Sequence, residues 1–250
     1  MKPNAALIVL ILLSSYGYGQ TEASLSRSKT FVGFYFSGNQ SWMTINGGNN
    51  SSAVFSKEAG FGFNTGFTLI HELSSRFSIE SSLGYVRETN QNSFQWVSVS
   101  GDPNAVVSYS DWRNSFTWLE LPVIVNFTLW RKGTQSLFVG GGLSTRRLLS
   151  SVLEISTLMG NGFMVASSRT DMVNEWNFFP TVQAGAHFNI SDQSRLTVAV
   201  SYQRSITKLF KTTNAPTGAV SQYGDADFTQ NALNLTVAYT VNWDSLRNRQ

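Results

Sequence analysis

The chain has 250 residues, of which 42% are hydrophobic and only 13% charged, with a formal net charge of +3. That charged fraction is about half the globular average of roughly 25%, which argues against an ordinary water-facing surface. The small positive balance contains no basic run, which argues against nucleic acid as a partner. Cysteine is absent, so disulfides, thiolate metal sites, thiol nucleophiles and a lipidated N-terminal cysteine are all excluded.

In chain order, the first element is an export signal. Lys2 supplies a positive n-region, Ala5 to Leu13 an apolar h-region, and Gly17-Tyr18-Gly19 a small-x-small cleavage site. Cleavage is expected after Gly19, leaving Gln20 as the mature N-terminus. The apolar run is too short to span a bilayer, which takes about 20 residues. No later segment is long and apolar enough for a transmembrane helix, so an integral protein would have to be a barrel. Residues 20–29 are expected to form a periplasmic segment before the barrel.

The remaining chain is read for period-2 alternation over segments of about 9–11 residues. Thr30 to Ser37 is apolar on both faces. In the second segment, Phe61, Phe63, Phe67 and Leu69 oppose Gly62, Asn64, Gly66 and Thr68. In the third, Phe77, Ile79, Leu83 and Tyr85 oppose Ser78, Glu80, Ser82 and Gly84. Leu119 to Trp130 sets Leu119, Leu121, Val123, Val125, Phe127 and Leu129 against Glu120, Asn126 and Thr128. Leu137 to Leu143 is short and glycine-rich. Phe179 to Ile190 sets Val182, Ala184, Ala186 and Phe188 against Thr181, Gln183, Gly185 and His187. Leu196, Val198, Val200 and Tyr202 oppose Thr197, Ala199, Ser201 and Gln203. The last segment is the clearest: Leu233, Leu235, Val237, Tyr239, Val241 and Trp243 oppose Asn234, Thr236, Ala238, Thr240 and Asn242.

These eight segments predict an all-β fold, an eight-stranded antiparallel up-and-down transmembrane β-barrel over 30–243, with a short periplasmic tail at 244–250. The connections alternate strictly. Those at His71 to Ser75, Arg131 to Gln135 and Ser191 to Ser194 are short, while those near 38–58, 90–114, 148–176 and 209–228 are long and polar. Short periplasmic turns and long outer loops mark membrane barrels. Trp130 and Trp243 fall at the short-turn end, and Trp42, Trp96, Trp112, Trp118 and Trp176 at the long-loop end, as two interfacial girdles would require. Arg87 and Arg204 share the apolar parity near the long-loop end and are expected at the outer headgroup rim. Alternation alone also fits a soluble lipocalin-type barrel with an apolar interior. The Ser, Thr, Asn, Gly and Ala on the opposite faces suit the crowded lumen of a small membrane barrel better than a water-facing surface.

Five stretches carry a family resemblance. Ala59-Gly60-Phe61-Gly62-Phe63-Asn64-Thr65-Gly66-Phe67 followed by Ser75-Arg76-Phe77-Ser78-Ile79-Glu80 resembles the opening hairpin of Bacteroidetes PorT-like outer-membrane β-barrel proteins. Trp118-Leu119-Glu120-Leu121-Pro122-Val123-Ile124-Val125 is similar to that family's aromatic-Leu-Glu-aliphatic-Pro strand. Gly140-Gly141-Gly142-Leu143 and Gln183-Ala184-Gly185-Ala186-His187-Phe188 are similar to its glycine-bearing later strands. The departures are Tyr202-Gln203-Arg204-Ser205-Ile206, which lacks the family's glycine, and Asp244 to Gln250, which extend past the closing strand. The resemblance implies an integral outer-membrane protein, with the secretion and gliding role of the family's namesake as one function among its members.

Chemistry-bearing residues are few. His71 sits on a predicted short turn and His187 on a polar strand face near Val198, and neither has ligand-spaced partners. Gly140-Gly141-Gly142 lacks the Lys-Ser/Thr and the helix of a phosphate loop. A turn at Arg131 to Gln135 puts Arg146 opposite Glu120 on the lumen side, where a charge must be paired or wetted. Glu80 is expected to join them, and Gln183 and His187 to share the same polar lumen. The expected role is a non-enzymatic barrel with a plugged polar lumen, acting as a scaffold or binding module through its long loops. It needs no cofactor, has outer-membrane lipid as its surroundings, stands as a monomer and takes protein partners at its loops or in secretion machinery. The alternatives are a PorT-like secretion accessory, a small passive pore, a soluble lipocalin-like barrel and a lipid-modifying enzyme.

Overall fold

The computed structural model describes residues 29–46, 53–96, 108–158, 164–169, 173–210 and 227–244. The signal cleavage position at Gly19 and Gln20, most of the 20–29 segment and most of the C-terminal tail lie outside the described residues. The strands are β1 (Thr30–Asn46), β2 (Ala53–Glu58), β3 (Gly60–Glu72), β4 (Phe77–Trp96), β5 (Ser108–Lys132), β6 (Gln135–Leu158), β7 (Met164–Arg169), β8 (Trp176–Ser191), β9 (Ser194–Arg204) and β10 (Asp227–Asn242).

Eight of them close a barrel in the order β1–β3–β4–β5–β6–β8–β9–β10, with every neighbour antiparallel and β10 paired back to β1. The closing register sets Phe31 against Asn242 and Ser37 against Thr236. Closure leaves no free edge within the wall, so each backbone N–H and C=O can find a partner there. The tight β5–β6 turn uses Gly133 at φ 57°, a left-handed conformation that glycine adopts without a Cβ penalty.

The side chains divide by parity as the alternation requires. Phe34, Phe36, Phe67, Leu83, Leu121, Val125, Val182, Val200, Leu235, Val237 and Tyr239 face outward and are exposed, whereas Ser37, Asn39, Asn64, Thr68, Ser82, Asn126, Thr181, Ser201, Asn234 and Thr240 face inward and are buried. The barrel is therefore apolar outside and polar inside, the inverse of a lipocalin. The first strand is apolar on both faces because Phe31 and Tyr35 turn inward while Phe34 and Phe36 point out.

Two expectations are corrected. Three of the four long polar connections, those near 38–58, 90–114 and 148–176, are largely strand, while most of the fourth, near 209–228, lies outside the described residues. β1 continues through Gly38 to Asn46, β4 runs 20 residues to Trp96, and β5 and β6 run 25 and 24 residues. Two further strands, β2 and β7, pair with β4 and β6 respectively. A membrane crossing takes about 9–11 residues, so these strands rise well past that length. Outside a lipid zone a strand has no reason to keep an apolar face, and without that face the alternation signal disappears. The second correction is Trp118, which is fully buried in the lumen rather than placed in an aromatic girdle. It shares the inward parity of Glu120, two residues along the same strand. Trp130, Trp176 and Trp243 are exposed, as are Arg87 and Arg204. The side chains of Trp96 and Trp112 lie outside the described residues.

Candidate functional site

The lumen is built in storeys from inward-pointing residues. Its centre is Arg146 on β6, paired in register with Glu120 on β5 as the short turn requires. Arg146 Nε donates to Glu120 Oε1 at 3.0 Å, Nη1 to Glu88 Oε1 at 3.2 Å and Nη2 to Gln203 Oε1 at 2.6 Å. The guanidinium also lies over the Phe179 ring at 4.4 Å. Each carboxylate has further donors. Ser144 Oγ donates to Glu120 at 2.5 Å and Gln203 Nε2 at 3.1 Å, while Trp118 Nε1 donates to Glu88 at 2.7 Å. Arg146, Glu88 and Trp118 are fully buried, and Glu120 nearly so. Such burial is tolerable only because charges and lone pairs are matched by several good hydrogen bonds. Side chains from β4, β5, β8 and β9 thus converge inside the lumen on the one cation of β6.

Toward the short-turn end lies a second storey. Glu80 Oε2 accepts from Asn126 Nδ2 and Gln183 Nε2, both at 2.9 Å, and Gln183 also donates to Asn126 Oδ1 at 2.9 Å. A cavity of about 60 Å³ borders Tyr35, Glu80, Ser82, Glu120 and Gln183. The absence of a Cβ at Gly84 makes room for the Tyr35 hydroxyl, since an added Cβ would collide with it. Beside this storey, Asn39 Nδ2 donates to Asn64 Oδ1 at 2.6 Å and Asn234 Nδ2 to Ser201 Oγ at 3.2 Å. Lower still, His187 Nδ1 meets Thr197 Oγ1 at 2.8 Å, and its ring stacks on Phe138 with centroids 4.3 Å apart. At the mouth, Arg195 Nη2 donates to Glu72 at 2.7 Å and its guanidinium covers Phe31 at 4.0 Å.

Above the Arg146 storey an apolar cluster sits beside the buried polar side chains Asn90, Asn92, Asn114 and Gln230. Met43, Val86, Phe116, Trp118, Val173, Leu209 and Phe228 form one buried cluster. Val173 and Leu209 come from segments outside the named strands, tied down by Asn174 N to Leu209 O and Leu209 N to Phe228 O, both at 2.9 Å, and by the Val173–Phe210 bridge. They pack into that cluster where β8 and β9 stop.

The structure therefore unites Glu120 with Arg146 as the sequence predicts, and Glu80 with Gln183. It separates Glu80 from the ion-pair centre, because Glu88, four pleat repeats further along the same face of β4, takes the place at Arg146. Reading that strand only to Tyr85 missed Glu88, although its inward parity with Glu80 was the available signal. His187 stands alone near the short-turn end, and it pairs with Thr197 rather than Val198 because the ladder shifts between Asn189 and Ser191. His71, from the end of β3, meets Thr30 Oγ1 at 2.9 Å. The Gly140–Gly142 run lies mid-strand on β6 with no helix after it. Among the described residues, no group of three or more His, Asp or Glu side chains converges to hold a metal ion.

No protein-family model matches the chain, and no curated protein matches it. Among solved structures, the outer membrane protein OprG from Pseudomonas aeruginosa aligns with a TM-score of 0.44 at 8% identity, over 86% of this chain and 96% of that one. The outer membrane protein AlkL aligns with a TM-score of 0.41 at 14% identity, over 90% and 94% of the two chains. The outer membrane protease OmpT from Escherichia coli aligns with a TM-score of 0.35 at 8% identity, over 90% and 99%.

Proposed function

We propose that this protein is an integral outer-membrane β-barrel without enzymatic activity, a plugged scaffold that presents its extended strands and their connections to partners outside the cell. The observation that carries this reading is the inverted polarity of a closed barrel. An outward row such as Leu233, Leu235, Val237 and Tyr239 is exposed on β10 while Asn234 and Thr240 of the same strand are buried. Water would penalise that outward surface, far larger than the few hundred Å² a soluble monomer usually exposes, whereas hydrocarbon accepts it. The plug is supported by two features in series, the Arg146 storey and the buried apolar cluster around Leu209. Eight-stranded barrels have interiors just wide enough for side chains to fill, which supports the plug.

Fractionation of cells expressing the full chain tests location: the protein should require detergent for release from the outer-membrane fraction. Recovery in the soluble periplasmic fraction would overturn the reading. Planar-bilayer recording tests the plug: purified protein should give no steady conductance, and a steady open channel would favour a pore instead. The resemblance of Trp118–Val125 to the PorT-like strand favours a role in protein secretion as a second reading, which co-purification of a defined set of envelope proteins from native membranes would support.

A further inference from the structure

The outer wall of the barrel carries a groove of about 620 Å³ bordered by Phe34, Leu69, Leu83, Leu121, Tyr239 and Trp243. It crosses five adjacent strands, β10, β1, β3, β4 and β5, a width of about 19 Å at the usual strand spacing. Two features set its depth. The β4–β5 ladder breaks at Pro122, where pairing passes from Ser81–Val123 to Gly84–Glu120 without the two pairs between, and proline has no N–H to offer. The second feature is Ser81, a small residue of outward parity set among Leu69, Leu83 and Leu121, while Ser82 beside it faces the lumen and is buried, so a notch lies between the large flanking side chains.

We propose that this groove is a binding site for one acyl chain of a membrane phospholipid, distinct from the lipid that merely surrounds the barrel. The proposal rests on the membrane-barrel reading and goes beyond it. Three observations select this occupant. The groove is continuous with the outward apolar belt and reaches Trp243 at the short-turn end, so a lipid can enter it without leaving its leaflet. Its volume falls within the range of small-molecule sites, about 300–1,000 Å³. Its lining is almost wholly apolar, and the Ser82 hydroxyl is already used, donating to Thr68 Oγ1 at 3.0 Å. A peptide segment seated there would bring backbone N–H and C=O groups with nothing to receive them, and the convex face of a second barrel would not fill a concavity. A hydrocarbon chain brings no such groups and fills the notch.

The test is photo-labelling of the full mature chain in phosphatidylcholine vesicles that contain a small fraction of the same lipid bearing a diazirine on its acyl chain, followed by peptide mapping. Labelling at Ser81, Leu83 and Leu121 is expected to exceed that at Val182 and Val200, on strands the groove does not touch, severalfold. Ser81→Phe, which fills the notch, should bring it down to the level on those strands, and Val200→Phe should leave it unchanged. Heat-modifiable electrophoretic mobility reports whether each variant folds; if Ser81→Phe does not, the distribution on the wild-type chain decides the matter. Even labelling around the girdle, or labelling of the notch unchanged in folded Ser81→Phe, would overturn the site while leaving the membrane reading intact. Failure of the wild-type chain to incorporate into vesicles would instead overturn the membrane reading and the site with it.

Discussion

Removing Arg146 should be among the most damaging single changes in this barrel. Its guanidinium serves two carboxylates, Glu88 and Glu120, from a position with no exposed surface. Arg146→Met keeps comparable bulk against Phe179 but leaves both carboxylates buried without a counter-charge, along with a Gln203 carbonyl that has lost its donor. Breaking a buried pair in this way costs about 3–5 kcal/mol, far more than the roughly 0.5–1.5 kcal/mol of an average hydrogen bond. The assay is urea unfolding of the vesicle-inserted protein, followed by heat-modifiable mobility. With a urea slope of about 1–3 kcal/mol/M, the midpoint should fall by about 1 M or more. The triple variant Arg146→Met, Glu88→Gln, Glu120→Gln should recover most of that loss, because the uncompensated charges disappear with the cation. A cost below about 1 kcal/mol for Arg146→Met alone, a value typical of exposed pairs, would refute the view that this ion cluster is the buried plug of the lumen. So would a triple variant no more stable than the single one.

Two further outcomes follow from the same geometry. Val237→Arg places a charge on the outward face near the middle of β10 and should cost about 2–4 kcal/mol in vesicles if that face meets hydrocarbon; unchanged stability would show that it meets water. Gly84→Ala should cost about 1–3 kcal/mol by overpacking against the Tyr35 hydroxyl, and Tyr35→Phe should relieve part of that loss. A double-mutant cycle with no coupling between positions 35 and 84 would mean that the two do not share space.

Much of this molecule was legible in the residue order because a strand's side chains alternate with a period of two. The polar and apolar rows of β10, β9 and β8 could be assigned to opposite faces directly. The pairing of Glu120 with Arg146 could also be placed, since a tight hairpin turn fixes its own register. The polar upper parts of β4, β5 and β6 were not legible, because the alternation criterion detects an apolar face and those segments carry little of one. What only the closed tertiary structure decided are the contacts across the lumen. Arg146 meets Gln203 and Glu88, residues 57 and 58 positions away in the chain, and no local register predicts which inward side chains from distant strands reach the same height. The same holds for Leu209 and Val173, which enter the barrel from segments outside its wall, and for the notch at Pro122, which exists because a proline without an N–H faces its neighbouring strand at one particular seam. Periodicity sets the face of each residue, while strand tilt and closure set its height and its partners.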